Sequence, residues 1–177
     1  MQFFQQKQRG MSIIEVIIAI VILLILALLI TPSFVTYFNQ NRLKGAAEVL
    51  YDNILLGRTN AIKQATTVTL TFVTGASWCY GLSSGAIACS CGSAASATNC
   101  NLGITSNTDY PNTSLAISGF TSSAITFDAI RAAVASGSTV GSATITSTTG
   151  TESITVAINA LGTSSICSST VGGYSGC

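Results

Sequence analysis

Gly10-Met11-Ser12-Ile13-Ile14-Glu15 places a glycine, then a methionine, then a carboxylate at the head of an apolar run that continues to Ile30. An ionised group inside such a run costs several kcal/mol by some measures and marks function, with a partner to be found. A cut between Gly10 and Met11 supplies one. The new α-amino group is a cation near Glu15, or near the Glu15 of a neighbouring copy. Opposite charges at low dielectric then select the register in which two such chains dock.

The second reactive set is sulfur: Cys79, Cys89, Cys91, Cys100, Cys167 and Cys177, all distal to the apolar run. An even number in a Ser/Thr-rich stretch fits disulfides in an oxidising compartment. A thiolate metal cage is the competing use of Cys89-Ser90-Cys91, but the chain has no His and no paired C-x-x-C knuckles. No metal and no cofactor are therefore expected. Cys167 and Cys177 stand apart from the other four and close a Gly/Ser-rich terminal loop, so they are the expected pair. The pairing of Cys79, Cys89, Cys91 and Cys100 stays open.

Catalysis finds little to work with. There is no His for general-base work, no H-E-x-x-H, and no glycine-rich phosphate loop in a strand–turn–helix setting. The many Ser and Thr have no visible activating partner. The expectation is a protein that is not an enzyme.

The elements that must position these groups divide the 177 residues unevenly. Only 7% of residues are charged and the mean hydropathy is +0.58. Residues 11–30 hold most of that excess; from about residue 66 the chain is rich in Ser, Thr, Gly and Ala. As a helix rising 1.5 Å per residue, 11–30 just spans a hydrocarbon core of roughly 30 Å. Lys7 and Arg9 precede it with no acid, which keeps the N-terminal end cytoplasmic and delivers the distal part outside. The run ends Leu29-Ile30-Thr31-Pro32, without the small-residue cleavage signal of a secretory peptide.

The helix continues past Pro32 with at most a kink. From Leu43, apolar or small residues recur at Ala47, Leu50, Ile54, Gly57 and Ala61, an amphipathic stripe made to lie on a sheet. Strands are predicted where apolar residues alternate: Val68-Leu70-Phe72, Leu115-Ile117, Ile125-Phe127, around Ile145, and Ile154-Val156-Ile158. Residues 77–103 read as a cystine-stapled loop, with Trp78 and Tyr80 packed beside Cys79. The fold class is α+β: a long N-terminal helix packed on an antiparallel β-sheet domain. Its parts are 1–10 as a leader, 11–30 as a transmembrane and assembly helix, 31–65 as the amphipathic continuation, and 66–177 as a β-rich, disulfide-containing periplasmic domain.

Beyond Gln64 the only side chains charged at neutral pH are Asp109, Asp128, Arg131 and Glu152, a balance of −2. No basic face is available there to collect phosphates.

The Gly10/Met11/Glu15 opening, the apolar helix and Pro32 together resemble the class III signal of type IV pilins and type II secretion pseudopilins. Leu56-Gly57-Arg58-Thr59-Asn60-Ala61-Ile62-Lys63, followed by Val68-Thr69-Leu70, is similar to the helix-to-strand phrase of the GspH/FimT family of minor pilins and pseudopilins. Phe127-Asp128-Ala129-Ile130-Arg131 looks like that family's mid-domain strand and turn. The likeness is strongest over the first 70 residues.

The resemblance implies a prepilin fold, cleavage after Gly10 by a prepilin peptidase, methylation of the Met11 amine, and Glu15 as the residue that aligns subunits. It implies as partners other pilins or pseudopilins and an inner-membrane assembly platform. The location implied is a single-pass inner-membrane protein with its C-terminal domain in the periplasm, then a pilus or pseudopilus filament. The role implied is a minor subunit near the filament tip; a major structural pilin shares the same N-terminus. Some FimT-type members bind DNA through a G-R-x-R motif. Here Gly162 is followed by Thr163 and Ser165 at the two arginine positions, which argues against nucleic acid as a partner.

Overall fold

A computed structural model describes residues 10–85, 89–91 and 100–177, with the side chains of 28–33 outside that description. Two compact units result, Met1–Tyr37 and Phe38–Cys177. One helix, α1 (Ile13–Gln64), runs through both. Pro32 lies within it, but the kink expected there lies outside the described residues. Among the described residues no helix is long and apolar enough to cross a membrane. The span expected over 11–30 includes residues 28–30, whose side chains are not described.

In the first unit α1 is apolar all round. Ile13, Ile14, Ile17, Ile20, Leu23 and Leu24 are each more than half exposed. In the second unit the same helix is one-sided. Leu43, Ala46, Ala47, Leu50, Ile54 and Ala61 are wholly buried, while Leu55 and Ile62 on the outer flank stay exposed. The helix closes without a glycine: Ala65 takes a left-handed φ of 48°, and Thr66 N donates to the Ala61 carbonyl.

Among the described residues eight antiparallel strands follow: β1 (Val68–Val73), β2 (Cys79–Ser84), β3 (Gly103–Ser106), β4 (Thr113–Ser118), β5 (Ala124–Phe127), β6 (Gly141–Ser147), β7 (Ser153–Ile158) and β8 (Ser164–Cys167). They form two four-stranded sheets, ordered β3-β2-β1-β5 and β4-β6-β7-β8. The β4 and β5 strands exchange places between sheets, and a bridge from Gly75 to Leu115 ties the two together. The expected α+β arrangement, a long helix packed on antiparallel sheet, is that of a pilin-like domain.

Register explains the core. Leu70 faces Leu82 on one side and Ile125 on the other, and Phe72 faces Tyr80, so one face of the first sheet is apolar. Gly57 of α1 lies directly over it: a Cβ there would sit 2.9 Å from Leu82 Cδ2 and 3.4 Å from Phe127 Cε2. The second sheet adds Leu115, Ala143, Ile145, Ile154, Val156 and Ile158 to the same cluster.

The described parts of the segment read as a stapled loop include regular strand. Residues 79–84 and 103–106 are strands, and five of the six residues of β2 are buried. Burial on both faces of the sheet removes the polar alternation by which a strand is read from sequence.

Candidate assembly surface

Gly10, Met11 and Ser12 lead into the first turn of α1, which holds Glu15. Ser12 starts α1, its carbonyl accepting from Glu15 N (3.1 Å) and Val16 N (3.3 Å). Glu15 lies in the first helical turn, where the carboxylate complements the exposed N–H groups and the positive end of the helix dipole. Met11 is 72% exposed, and Gly10 precedes the helix. Among the described residues a Cβ at Gly10 would meet no atom within 4 Å.

The sulfurs form two sites. Cys79 pairs with Cys91 and Cys89 with Cys100, two interleaved bridges on the face of the first sheet that turns away from α1. With Ile104 they make a separate small core. The glycine at position 81 makes this possible, because a Cβ there would collide with Cys89 Sγ and come within 3.0 Å of Cys100 Sγ. Cys167 pairs with Cys177 at the end of the second sheet.

That C-terminal strap returns to the helix. Val171 is buried in the main core, Tyr174 OH donates to Glu48 Oε1 at 2.8 Å, and the Lys44 ammonium lies 6.0 Å from the Tyr174 ring centroid. Burial, reinforced by the Glu48 carboxylate, pushes the Tyr174 hydroxyl up to about 12. Sequence reading did not foresee the Tyr174–Glu48 contact; partners 126 residues apart leave no local signal.

Trp78 and Tyr80 are fully buried and stacked, with ring centroids 5.9 Å apart. Each polar tip is satisfied: Trp78 Nε1 donates to Thr113 Oγ1 (3.0 Å) and Asn53 Nδ2 donates to Tyr80 OH (3.2 Å). Burial raises the Tyr80 hydroxyl to about 12. They are core residues.

The turn after β5 is held by Asp128, whose Oδ1 accepts from Ile130 N (2.8 Å) and Arg131 N (3.0 Å). Those two N–H groups, with the Arg131 guanidinium, hold its carboxyl below the usual range. Thr163 and Ser165 are exposed on the neighbouring hairpin, where Thr163 N donates to Asn159 Oδ1. Arg131 is the only cationic side chain of residues 65–177, and Arg58 of α1 reaches the same turn, its Nε donating to the Ala132 carbonyl at 3.3 Å.

Residues 46–162 match the family model described as type II transport protein GspH, and residues 5–31 match that of the prokaryotic N-terminal methylation motif. The chain belongs to the GspH family. Membership makes it a prepilin-like subunit of the pilin and pseudopilin type, in type II secretion or type IV pili. The GspH match extends well past residue 70, where the sequence likeness was strongest, and takes in seven of the eight strands. No curated protein and no solved structure matches this family member.

Proposed function

We propose that the chain is a minor pilin or pseudopilin that joins a filament near its tip and helps to initiate or complete it. The observation that carries this reading is the pairing, in one chain, of an N-terminal methylation motif over 5–31 with a GspH domain over 46–162. A prepilin peptidase cuts between Gly10 and Met11, and the Met11 amine is methylated. Residues 11–30 anchor the subunit in the inner membrane, with the domain from residue 66 in the periplasm, until it is drawn onto the assembly platform. Glu15 then pairs with the N-terminal amine of a neighbour and sets its register. The chemistry is assembly rather than catalysis, and no cofactor, metal or nucleic acid takes part. With Thr163 and Ser165 in place, the two arginine positions of the G-R-x-R motif carry no charge here.

Quantitative mass spectrometry of sheared, purified filaments tests this. Trace amounts relative to the main subunit, with an N-methylated Met11 as the first residue, are expected. A stoichiometric share of the filament mass identifies a major structural pilin and ends the tip reading.

A further inference from the structure

The strap that follows β8 has two parts. The first is an anchor. Ser168 Oγ donates to the Ser153 carbonyl (2.6 Å), Val171 N donates to Ser168 Oγ (2.9 Å), and Ser153 N donates to Thr170 Oγ1 (2.9 Å). The Val171 side chain is buried in the main core. The second part, residues 172–177, lies on α1. Tyr174 OH reaches Glu48, its half-buried ring lies near the Lys44 ammonium, and a Cβ at Gly173 would sit 4.0 Å from Lys44 Nζ. Two exposed glycines join the parts. Gly173 takes a left-handed φ of 103°, and a Cβ at Gly172 would meet no atom within 4 Å. A crowded anchor, an uncrowded pair of glycines and a short segment beyond them have the make-up of a hinge.

The segment beyond the hinge is closed by the Cys167–Cys177 bridge and by Ser168 N donating to the Ser175 carbonyl at 2.9 Å. This bridge is the accessible one. Cys177 is exposed and Cys167 half-buried, whereas Cys79, Cys89 and Cys91 are 4%, 2% and 1% exposed and Cys100 is half-buried. Thiol–disulfide exchange needs a thiolate to reach a sulfur, so access sets the order in which bridges are reduced.

We propose that residues 172–177 are a redox-controlled latch on α1, shut while Cys167 and Cys177 are joined and opened at Gly172–Gly173 when a dithiol reduces them. A thiolate of the dithiol attacks Cys177 Sγ, forms a mixed disulfide and expels the Cys167 thiolate. The second sulfur of the dithiol then attacks the first and expels the Cys177 thiolate. The dithiol leaves as a disulfide, its two electrons pass to the chain, and its two thiol protons end, by way of water, on Cys167 and Cys177. Without the bridge, the Tyr174–Glu48 and Ser168–Ser175 hydrogen bonds compete with water and with the freedom of the glycine pair. The anchor stays, because Val171 and the Ser168–Ser153 bonds lie on the other side of the hinge. Opening therefore uncovers Lys44 and Glu48 of α1 and leaves the core closed. An oxidising compartment keeps the latch shut. It is a property of the single subunit and stands or falls apart from the filament reading.

The test exposes the full-length chain in detergent micelles to rising dithiothreitol, traps new thiols with iodoacetamide and locates them by peptide mass spectrometry. Cys167 and Cys177 should be alkylated at a dithiothreitol concentration at least about tenfold below that needed for the other four cysteines. In the singly reduced protein, acylation of Lys44 by an N-hydroxysuccinimide ester should rise at least about threefold, while that of Lys63, exposed on the same helix, stays level. Reoxidation should restore the lower Lys44 rate. The double variant Cys167→Ser, Cys177→Ser should show the raised rate without reductant and gain nothing from it. Alkylation of all six cysteines together, earlier reduction of the interleaved bridges, or a Lys44 rate unmoved by selective reduction overturns the latch. So does a rise at Lys44 accompanied by loss of the near-UV circular dichroism of buried Trp78, which means that the core has opened instead.

Discussion

Exposure all round one half of α1 and burial of one aliphatic stripe along the other cannot be traced to residue type: Leu24 is 59% exposed, whereas Leu50, in the same helix, is wholly buried. In the unit of residues 38–177 the aliphatic stripe has its own two sheets to lie on, and an amphipathic pattern suffices. In the unit of residues 1–37 the apolar residues are uncovered on every side, and the described residues of that unit provide no core. A helix hydrophobic all round takes its stability from something outside the chain, whether lipid or other helices. The first region is built to be completed by an environment, the second to be complete.

The hardest strain on that contrast falls at the N-terminus. Gly10→Leu disturbs no contact among the described residues, yet it should abolish the mature species beginning at Met11, a loss of more than about 100-fold in product that intact-mass spectrometry reads directly. A normal Met11 terminus in that variant removes the leader assignment. Glu15→Ala should process normally and yet leave at least about nine-tenths of the chain out of filaments, as a register-setting carboxylate predicts. Normal incorporation refutes the register role.

Neighbouring residues sharpen the contrast inside the second unit. Ile54 is wholly buried and Leu55 is 50% exposed, so Ile54→Ala should cost about 2–5 kcal/mol and Leu55→Ala less than about 0.5 kcal/mol. Urea midpoints of the full-length chain in micelles measure both. Similar costs at the two positions mean that Leu55 is covered by something within the subunit. Removing the terminal bridge with Cys167→Ser and Cys177→Ser should cost about 2–3 kcal/mol for a separation of 10 residues. No change in the midpoint makes the strap a passenger.

How much of this could be read in advance follows the same line. The stripe Leu43, Ala47, Leu50, Ile54, Gly57 and Ala61 is the buried face of α1, and the alternating runs at 68–72, 125–127 and 154–158 are strands. Periodicity reports burial on one side, and these elements are buried on one side. The β2 strand carries the core on one face and the cystines on the other, so its Cys-Tyr-Gly-Leu-Ser-Ser sequence has no polar beat. A single apolar residue, Ile166, marks β8. The interleaved bridges and the Tyr174–Glu48 contact depend on partners brought together only by the fold.

The smallest effect tests whether the strap truly belongs to the self-sufficient region. Tyr174 OH donates to Glu48 across the helix–strap junction, and Tyr174→Phe should cost about 0.5–1.5 kcal/mol, the net value of one hydrogen bond. Alkaline pH reads the same contact without mutation. Tyr174 and Tyr80 both have hydroxyls raised to about 12 from an unfolded value of 10.0. Each therefore ionises more readily in the unfolded chain. Their contribution is fully present below about pH 10 and is lost as pH rises toward 12. The urea midpoint should be level with respect to these groups up to pH 10 and then fall. Tyr174→Phe should remove the smaller part of that fall, since Tyr174 is partly exposed and water screens it, and Tyr80, deep in the core, keeps the larger. A Tyr174→Phe profile that coincides with the parent above pH 10 means that the strap leaves the helix in solution, and the boundary of the complete region then stops short of the C-terminal loop.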